Sequence, residues 1–144
     1  MRGKHIVLGI SGSIAAYKAC SLIRLLVKAG AEVHVIMTEN ATNFINPITF
    51  ETLTNNRCLV DTFDRNFQYN VEHVALSKQA DVVMIAPATA NVLGKLANGI
   101  ADDALTTTFA AMRKPVVIAP AMNTHMWEGP ATQEAIQILS QREN

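Results

Sequence analysis

The 144-residue sequence predicts an α/β domain built on a doubly wound parallel sheet. Three observations predict it. Short, almost wholly apolar runs recur at residues 4–10, 31–37, 81–86 and 116–119, the pattern of strands covered on both faces. Segments of helical character separate these runs, as parallel crossovers require. The chain beyond each run is rich in small, hydroxylated or amide residues: Ser11-Gly12-Ser13, Thr38-Glu39-Asn40, residues 87–91 and residues 120–127. Ligands bind an open α/β sheet beyond the carboxyl ends of its strands, so these four tips form a polar rim over an apolar sheet.

Taken in order, the first strand (4–10) leads through Ser11-Gly12-Ser13 into a helix reaching about Lys28, closed by Gly30 in a left-handed cap. The second strand (31–37) carries Val33, Val35 and Ile36. Thr38 and Asn40 are placed to cap a short helix, and Pro47 starts another that runs to about Thr54. Residues 55–70 are the least regular, with a short strand expected at 58–60, and residues 71–78 suit a short helix. The third strand, DVVMIA at 81–86, precedes a loop over 87–91 and a helix to about Ala97. Either Asp102 or Asp103 caps the next helix. The fourth strand follows Pro115 and is expected to end at Pro120, which lacks a backbone donor. Residues 120–130 read as a loop, and Pro130 opens a last helix to about Gln141.

Composition narrows the function. The length suits a single domain, residues 1–144. Twelve basic residues balance twelve acidic ones, so no net field attracts nucleic acid or anionic lipid. Only 17% of residues are charged against 49% hydrophobic, which points to apolar surface buried against another subunit. Cys20 and Cys58 have no CxxC spacing and no clustered His, so neither a disulfide framework nor a metal site is expected. The first strand begins near the start of the chain with no signal segment before it, and no apolar run reaches membrane-spanning length; cytoplasm is the expected compartment.

The tips carry the chemistry. At Gly12-Ser13, between the first strand and helix, free backbone N–H groups and the helix dipole attract an anion, and Ser11 or Ser13 adds a hydroxyl. An ordinary Ser cap explains that site equally well. Gly9 and Gly12 do not make a GxGxxG fingerprint, and Thr38 suits a single phosphate, so a mononucleotide fits better than a dinucleotide. Ala88, Thr89, Ala90 and Asn91 are small enough for a flat ring to lie against the backbone, with Thr89 and Asn91 able to bond its edge; a tight strand-to-helix connection favours the same residues. Ala121, Met122, Asn123, Met126 and Trp127 add an amide between polarizable and aromatic groups. Packing alone explains any one of these, but gives no reason for Asn123 within the set. Together the tips point to a bound flavin.

Four segments carry a family resemblance: GISGSIAAYK at 9–18, His73 within VEHVALSKQAD, APATANVLGKLANGIADD at 86–103, and PAMNTHMW at 120–127. The chain resembles the homo-oligomeric flavin-containing cysteine decarboxylases, and the last segment matches their PxMNxxMW motif at every fixed position. That resemblance implies a Rossmann-like flavoprotein fold, a three-layer sandwich. It implies FMN as cofactor and decarboxylation of 4′-phospho-N-pantothenoylcysteine on the way to coenzyme A. FMN would oxidise the substrate thiol to a thioaldehyde that serves as electron sink. His73 would be the base that forms the thiolate, Asn123 would hold the substrate carboxylate, and Met126 would shape the substrate loop. Gly12, Ser13, Thr38, Ala88, Thr89, Ala90, Asn91, Ala121 and Met122 would hold the cofactor. Trimers, or four trimers in a shell, are implied, with FMN at the subunit contact.

Two departures stand out. Thr89 and Val92 replace the Ser and the final Thr of the family's PASANT loop. The family's clamp cysteine follows its last helix, a context that neither Cys20 nor Cys58 occupies, so the expectation is either that residues 1–144 are the N-terminal part of a longer chain or that the protein performs only part of the reaction. His5, His34 and His125 are read as strand start, strand interior and loop. Alternatives within reach are a peptidyl-cysteine decarboxylase, which shares His73 and the 120–127 motif, and a non-catalytic flavin-binding subunit. A flavin prenyltransferase would share the pocket but not that His or that Asn.

Overall fold

Four strands, β1 (His5–Ile10), β2 (Glu32–Met37), β3 (Val82–Ala88) and β4 (Val116–Pro120), form one parallel sheet in the order β2-β1-β3-β4. The computed structural model describes residues 1–61 and 72–142, without the side chains of residues 72–74 and 77. The helices are α1 (Tyr17–Lys28), α2 (Pro47–Thr54), α3 (Glu72–Gln79), α4 (Ala90–Asn98), α5 (Ala104–Ala111), α6 (Thr124–Glu128) and α7 (Pro130–Ser140). Short 3-10 turns at Ile14–Ala16 and Asn40–Asn43 start the connections after β1 and β2.

Side-chain alternation sorts the core into two layers. Ile6, Leu8 and Ile10 of β1, with Val33, Val35 and Met37 of β2, face Ile23 of α1 and Phe50 of α2. Val7, Ile36, Val83 and Ile85 point the other way, onto Leu93 and Leu96 of α4, Leu105 of α5 and Ala135 of α7. Leu8, Ile10, Ile23, Phe50 and Ile85 are completely buried, and each such side chain contributes on the order of 1.5–3 kcal/mol of transfer free energy. This is the three-layer α/β sandwich expected from the apolar runs.

Local signals end the elements. Gly30 takes φ 85° beyond α1, as its placement after the helix predicts. Asn46 caps α2 by accepting the Ile48 N–H at 3.1 Å, with Pro47 in the first turn. Of the two candidate aspartates, Asp103 caps α5: it accepts the Thr106 N–H at 2.7 Å while the Thr106 hydroxyl accepts the Asp103 N–H at 3.2 Å. Asp102 instead pairs with Lys95 at 2.9 Å. The strand expected at 58–60 is a one-residue bridge: Leu59 donates to the Val35 carbonyl and accepts the Met37 N–H, extending the β2 edge.

Three expectations are corrected. The run in β4 reads as buried on both faces, yet Val117 is 51% exposed while Val116 and Ile118 lean on the α4–α7 layer. An apolar run does not encode whether its strand ends up central or at the edge. β4 does end at Pro120 as expected, its last residue pairing with Ala88. Pro87 and Ala88, by contrast, belong to β3 and not to a loop. The segment 120–130, read as a loop, contains α6.

The cysteines differ in surroundings. Cys20 is half-buried on α1, whereas Cys58 is buried and its N–H donates to Glu51 Oε1 at 3.0 Å. Burial, then the Glu51 charge, pushes the Cys58 thiol up to about 12. Iodoacetamide near pH 8 is expected to modify Cys20 and spare Cys58 until the chain unfolds, as intact-mass and peptide mapping will read; early loss of the Cys58 thiol contradicts this packing.

Candidate functional site

The carboxyl ends of the strands open into a cavity of ≈ 620 Å³, and most of the predicted tip residues line it. Gly12, Ser13, Thr38, Thr89, Ala90, Asn91, Ala121, Met122 and Met126 all contribute to its wall. Its size lies in the ordinary range for small-molecule sites. No single stretch of chain builds it; the parallel topology brings four separate tips to one edge.

Three hydroxyls on that wall share one arrangement. Ser13 Oγ accepts the Ala15 N–H at 3.2 Å, Thr38 Oγ1 accepts the Ala41 N–H at 3.2 Å, and Thr89 Oγ1 accepts the Val92 N–H at 3.3 Å. Each therefore caps a helical turn with an oxygen lone pair and retains its own O–H as a donor. Helix capping and ligand recognition are compatible uses of the same side chain. The result is a wall of donors, suited to a ligand rich in acceptors such as phosphate oxygens or ring carbonyls.

The first tip differs from expectation in two ways. Ser11 is completely buried; its hydroxyl donates to the Pro87 carbonyl at 2.6 Å and accepts the Thr89 N–H at 3.0 Å. Of the two candidate serines, only Ser13 reaches the cavity. The N–H groups of Ser13, Ala15 and Ala16 are also spent inside the turn, on Ser11 O, Ser13 Oγ and Ser13 O, so fewer backbone donors remain than a bare helix start offers. Gly12 is needed for a close approach: a Cβ there would stand 2.8 Å from Asn40 Cβ and 3.1 Å from the Asn40 backbone carbon.

Ala88 is fully buried and is not part of the wall; its carbonyl accepts the Ala121 N–H at 3.0 Å, which ties the β3 and β4 tips together. Its contribution is a backbone one, the reason a small side chain is enough. Asn123 is exposed and caps α6, its Oδ1 accepting the His125 N–H at 2.8 Å. Asn123 thus has a local structural role after all, and unlike Met122 and Met126 it is not among the residues that line the cavity. His73 lies in the first turn of α3, with its side chain outside the described residues.

Several lining residues escaped the sequence. Phe44 borders the cavity from the connection after β2, and the Lys95–Asp102 ion pair stands at its far side. Lys95 and Asp102 straddle the end of α4, seven residues apart, a spacing that belongs to no local motif. Val92, where the family loop has a hydroxyl, also lines the wall and is otherwise buried.

A parallel, doubly wound sheet with a donor-lined cavity at its carboxyl edge defines a Rossmann-like α/β ligand-binding protein. The chain belongs to the Flavoprotein family, whose model matches residues 1–144. It is 50% identical over 141 residues to the coenzyme A biosynthesis bifunctional protein CoaBC of Bacillus subtilis, covering 98% of this chain and 35% of that protein. The protein of the same name from Borreliella burgdorferi is 44% identical over 138 residues, 96% of this chain and 35% of the relative. The chain thus spans about a third of the length of these curated relatives. Among solved structures, a mutant PPC decarboxylase complexed with pantothenoylaminoethenethiol superposes with TM-score 0.84 at 33% identity, over 97% of this chain and 79% of that one. The FMN-dependent cysteine decarboxylase SpaF superposes with TM-score 0.90 at 38% identity, over 96% and 80% of the two chains.

Ser11→Ala is expected to lower stability by about 1–3 kcal/mol, because it leaves the half-buried Thr89 N–H and one Pro87 acceptor position without their partner. Urea unfolding will measure it. A loss below a few tenths of a kcal/mol would show that the β1 and β3 tips are held by other means.

Proposed function

We propose that this chain performs the FMN-dependent carboxy-lyase step of coenzyme A biosynthesis, converting 4′-phospho-N-pantothenoylcysteine to 4′-phosphopantetheine. The observation that carries the reading is the set of three capping hydroxyls, Ser13, Thr38 and Thr89, presenting donors into one cavity. Relatives named for coenzyme A biosynthesis and a neighbour bound to a pantothenoyl thiol support the substrate class.

The residues fit FMN. Gly12, Ser13 and Thr38 would take the phosphate, where the wall offers donors and a backbone free of side chain. Ala90, Asn91, Ala121 and Met122 would bound the ring, with Thr89 at its edge. When bound, FMN would take two electrons from the substrate thiol, creating the electron sink that a carboxylate beside an amide-bearing carbon lacks, and would return them with protonation to the enethiol left by CO₂ loss, so that the overall conversion is redox-neutral. His73 takes the thiol proton, a useful task because a free thiol has a pKa of about 8.5. The Asn123 amide, its oxygen already engaged by α6, offers N–H donors to the substrate carboxylate until CO₂ leaves. Met126 lines the cavity and would shape the substrate loop.

No helix among the described residues is long and apolar enough to cross a membrane. A cytoplasmic, self-associating enzyme is the proposed setting, with trimers bringing subunit contacts to the flavin.

Purified protein is expected to be yellow or to become so with FMN. His73→Asn is expected to keep the flavin spectrum and release no CO₂ from the pantothenoyl substrate; full turnover would remove His73 from the mechanism. Asp caps helices as well as Asn does, so Asn123→Asp leaves α6 and the melting temperature in place while setting a negative charge against the carboxylate. KM is expected to rise or turnover to vanish. Unchanged kinetics in that variant would contradict the role, and a preference for a C-terminal cysteine peptide over the pantothenoyl substrate would move the assignment to the peptidyl-cysteine enzymes.

A further inference from the structure

The amino edge of the sheet, opposite the cavity, gathers three metal-ligand side chains that the proposed chemistry leaves unused. His5 opens β1, and parallel pairing sets it beside Glu32 of β2. Glu32 and His34 are two residues apart on β2 and so share a face. His34 Nε2 lies 3.1 Å from Glu32 Oε1, and His5 Nδ1 lies 3.5 Å from Glu32 Oε2. All three donor atoms fall within 4.8 Å of one another. The two imidazoles are stacked, their centroids 6.3 Å apart and planes inclined by 18°.

A plain hydrogen-bonded trio accounts for only half of this. The His34–Glu32 contact satisfies both its atoms, but His5 Nδ1 is a buried atom with no hydrogen-bond partner. Buried polar atoms are ordinarily paired. The neighbouring Asp81 is engaged elsewhere: it accepts the His5 backbone N–H at 2.8 Å and the Lys4 ammonium at 3.0 Å. His34 also borders a cleft of ≈ 280 Å³ beside Asn56, Leu76 and Gln79, which gives the group a route to solvent.

We propose that His5, Glu32 and His34 bind a divalent transition-metal cation of the zinc class. Two imidazole nitrogens and a carboxylate oxygen are the donors that Zn²⁺, Co²⁺ and Ni²⁺ prefer, whereas Mg²⁺ and Ca²⁺ favour all-oxygen sets. Donors about 2 Å from a shared cation stand roughly 3–4 Å apart, and the 3.1 and 3.5 Å separations fall in that span. Water completes the coordination, since Glu32 is half exposed. The cation has no part in the chemistry at the opposite edge; it joins the first residues of β1 and β2 and gives His5 Nδ1 its missing partner.

The 144-residue chain, treated with chelator and then titrated with CoCl₂, is expected to bind one equivalent, giving visible d–d absorption that ZnCl₂ abolishes by displacement. ZnCl₂ is expected to raise the melting temperature. Both signals should be lost in Glu32→Gln and in His34→Asn, and kept in Cys20→Ser. Glu32 is half exposed, so its variant keeps the fold even where His34→Asn does not. Absence of Co²⁺ absorption in the parent chain, or its persistence in Glu32→Gln, overturns the proposal. Neither readout depends on flavin or on turnover.

Discussion

The buried hydroxyl of Ser11 is the joint on which the functional edge of this protein depends. It donates to the Pro87 carbonyl and accepts the Thr89 N–H, joining the β1 tip to two residues of the β3 tip that lie 76 and 78 positions further along the sequence. Those two bonds fix where β1 ends relative to the start of α4. With that distance set, Ser13 and Thr89 face one cavity across a constant gap, and Gly12 allows the β2 connection at Asn40 to close in from the other side. Two hydrogen bonds of this kind contribute only on the order of 1–3 kcal/mol net. Their value lies in geometry: without the hydroxyl the Thr89 N–H loses its partner and the Pro87 carbonyl keeps only the Ser11 N–H at 3.2 Å, so the tips have one preferred spacing.

The edge also illustrates economy in side-chain use. Helix starts leave N–H groups without intrahelical partners, and three cavity-lining hydroxyls, Ser13, Thr38 and Thr89, meet that need with an oxygen. The same act orients the hydrogen-bearing end of each group away from its helix. Structural capping therefore pre-arranges the donors, and a ligand entering the cavity meets groups whose rotamers are already set. Loss of one cap would loosen both a helix end and a wall of the site.

Asymmetry of the sheet follows from its order. β1 and β3 are central and β1 is buried along nearly its whole length, while β4 is open on one face and β2 bridges to Leu59 on its outer side. The exposed Val117 agrees in kind with the low charge fraction of the chain, which leaves more apolar surface than one domain can cover.

Much was legible in the residues themselves. Alternating apolar runs and helical segments determined four parallel strands and two covering layers, because burial on both faces demands continuous hydrophobic sequence. Pro47 and Gly30 act over a few residues, so the start and stop they encode could be read locally, whereas the choice of Asp103 over Asp102 as the α5 cap waited for the structure. The tip residues were legible for a similar reason: parallel topology obliges every carboxyl end to lie along one edge. Tertiary structure alone decided the rest. Whether Ser11 or Ser13 meets the ligand depends on which carbonyl lies across the sheet, and whether β4 is central depends on strand order. The proximity of His5 to Glu32 depends on register between β1 and β2. Each of these is set by contacts between residues far apart in the chain, which no stretch of sequence carries by itself.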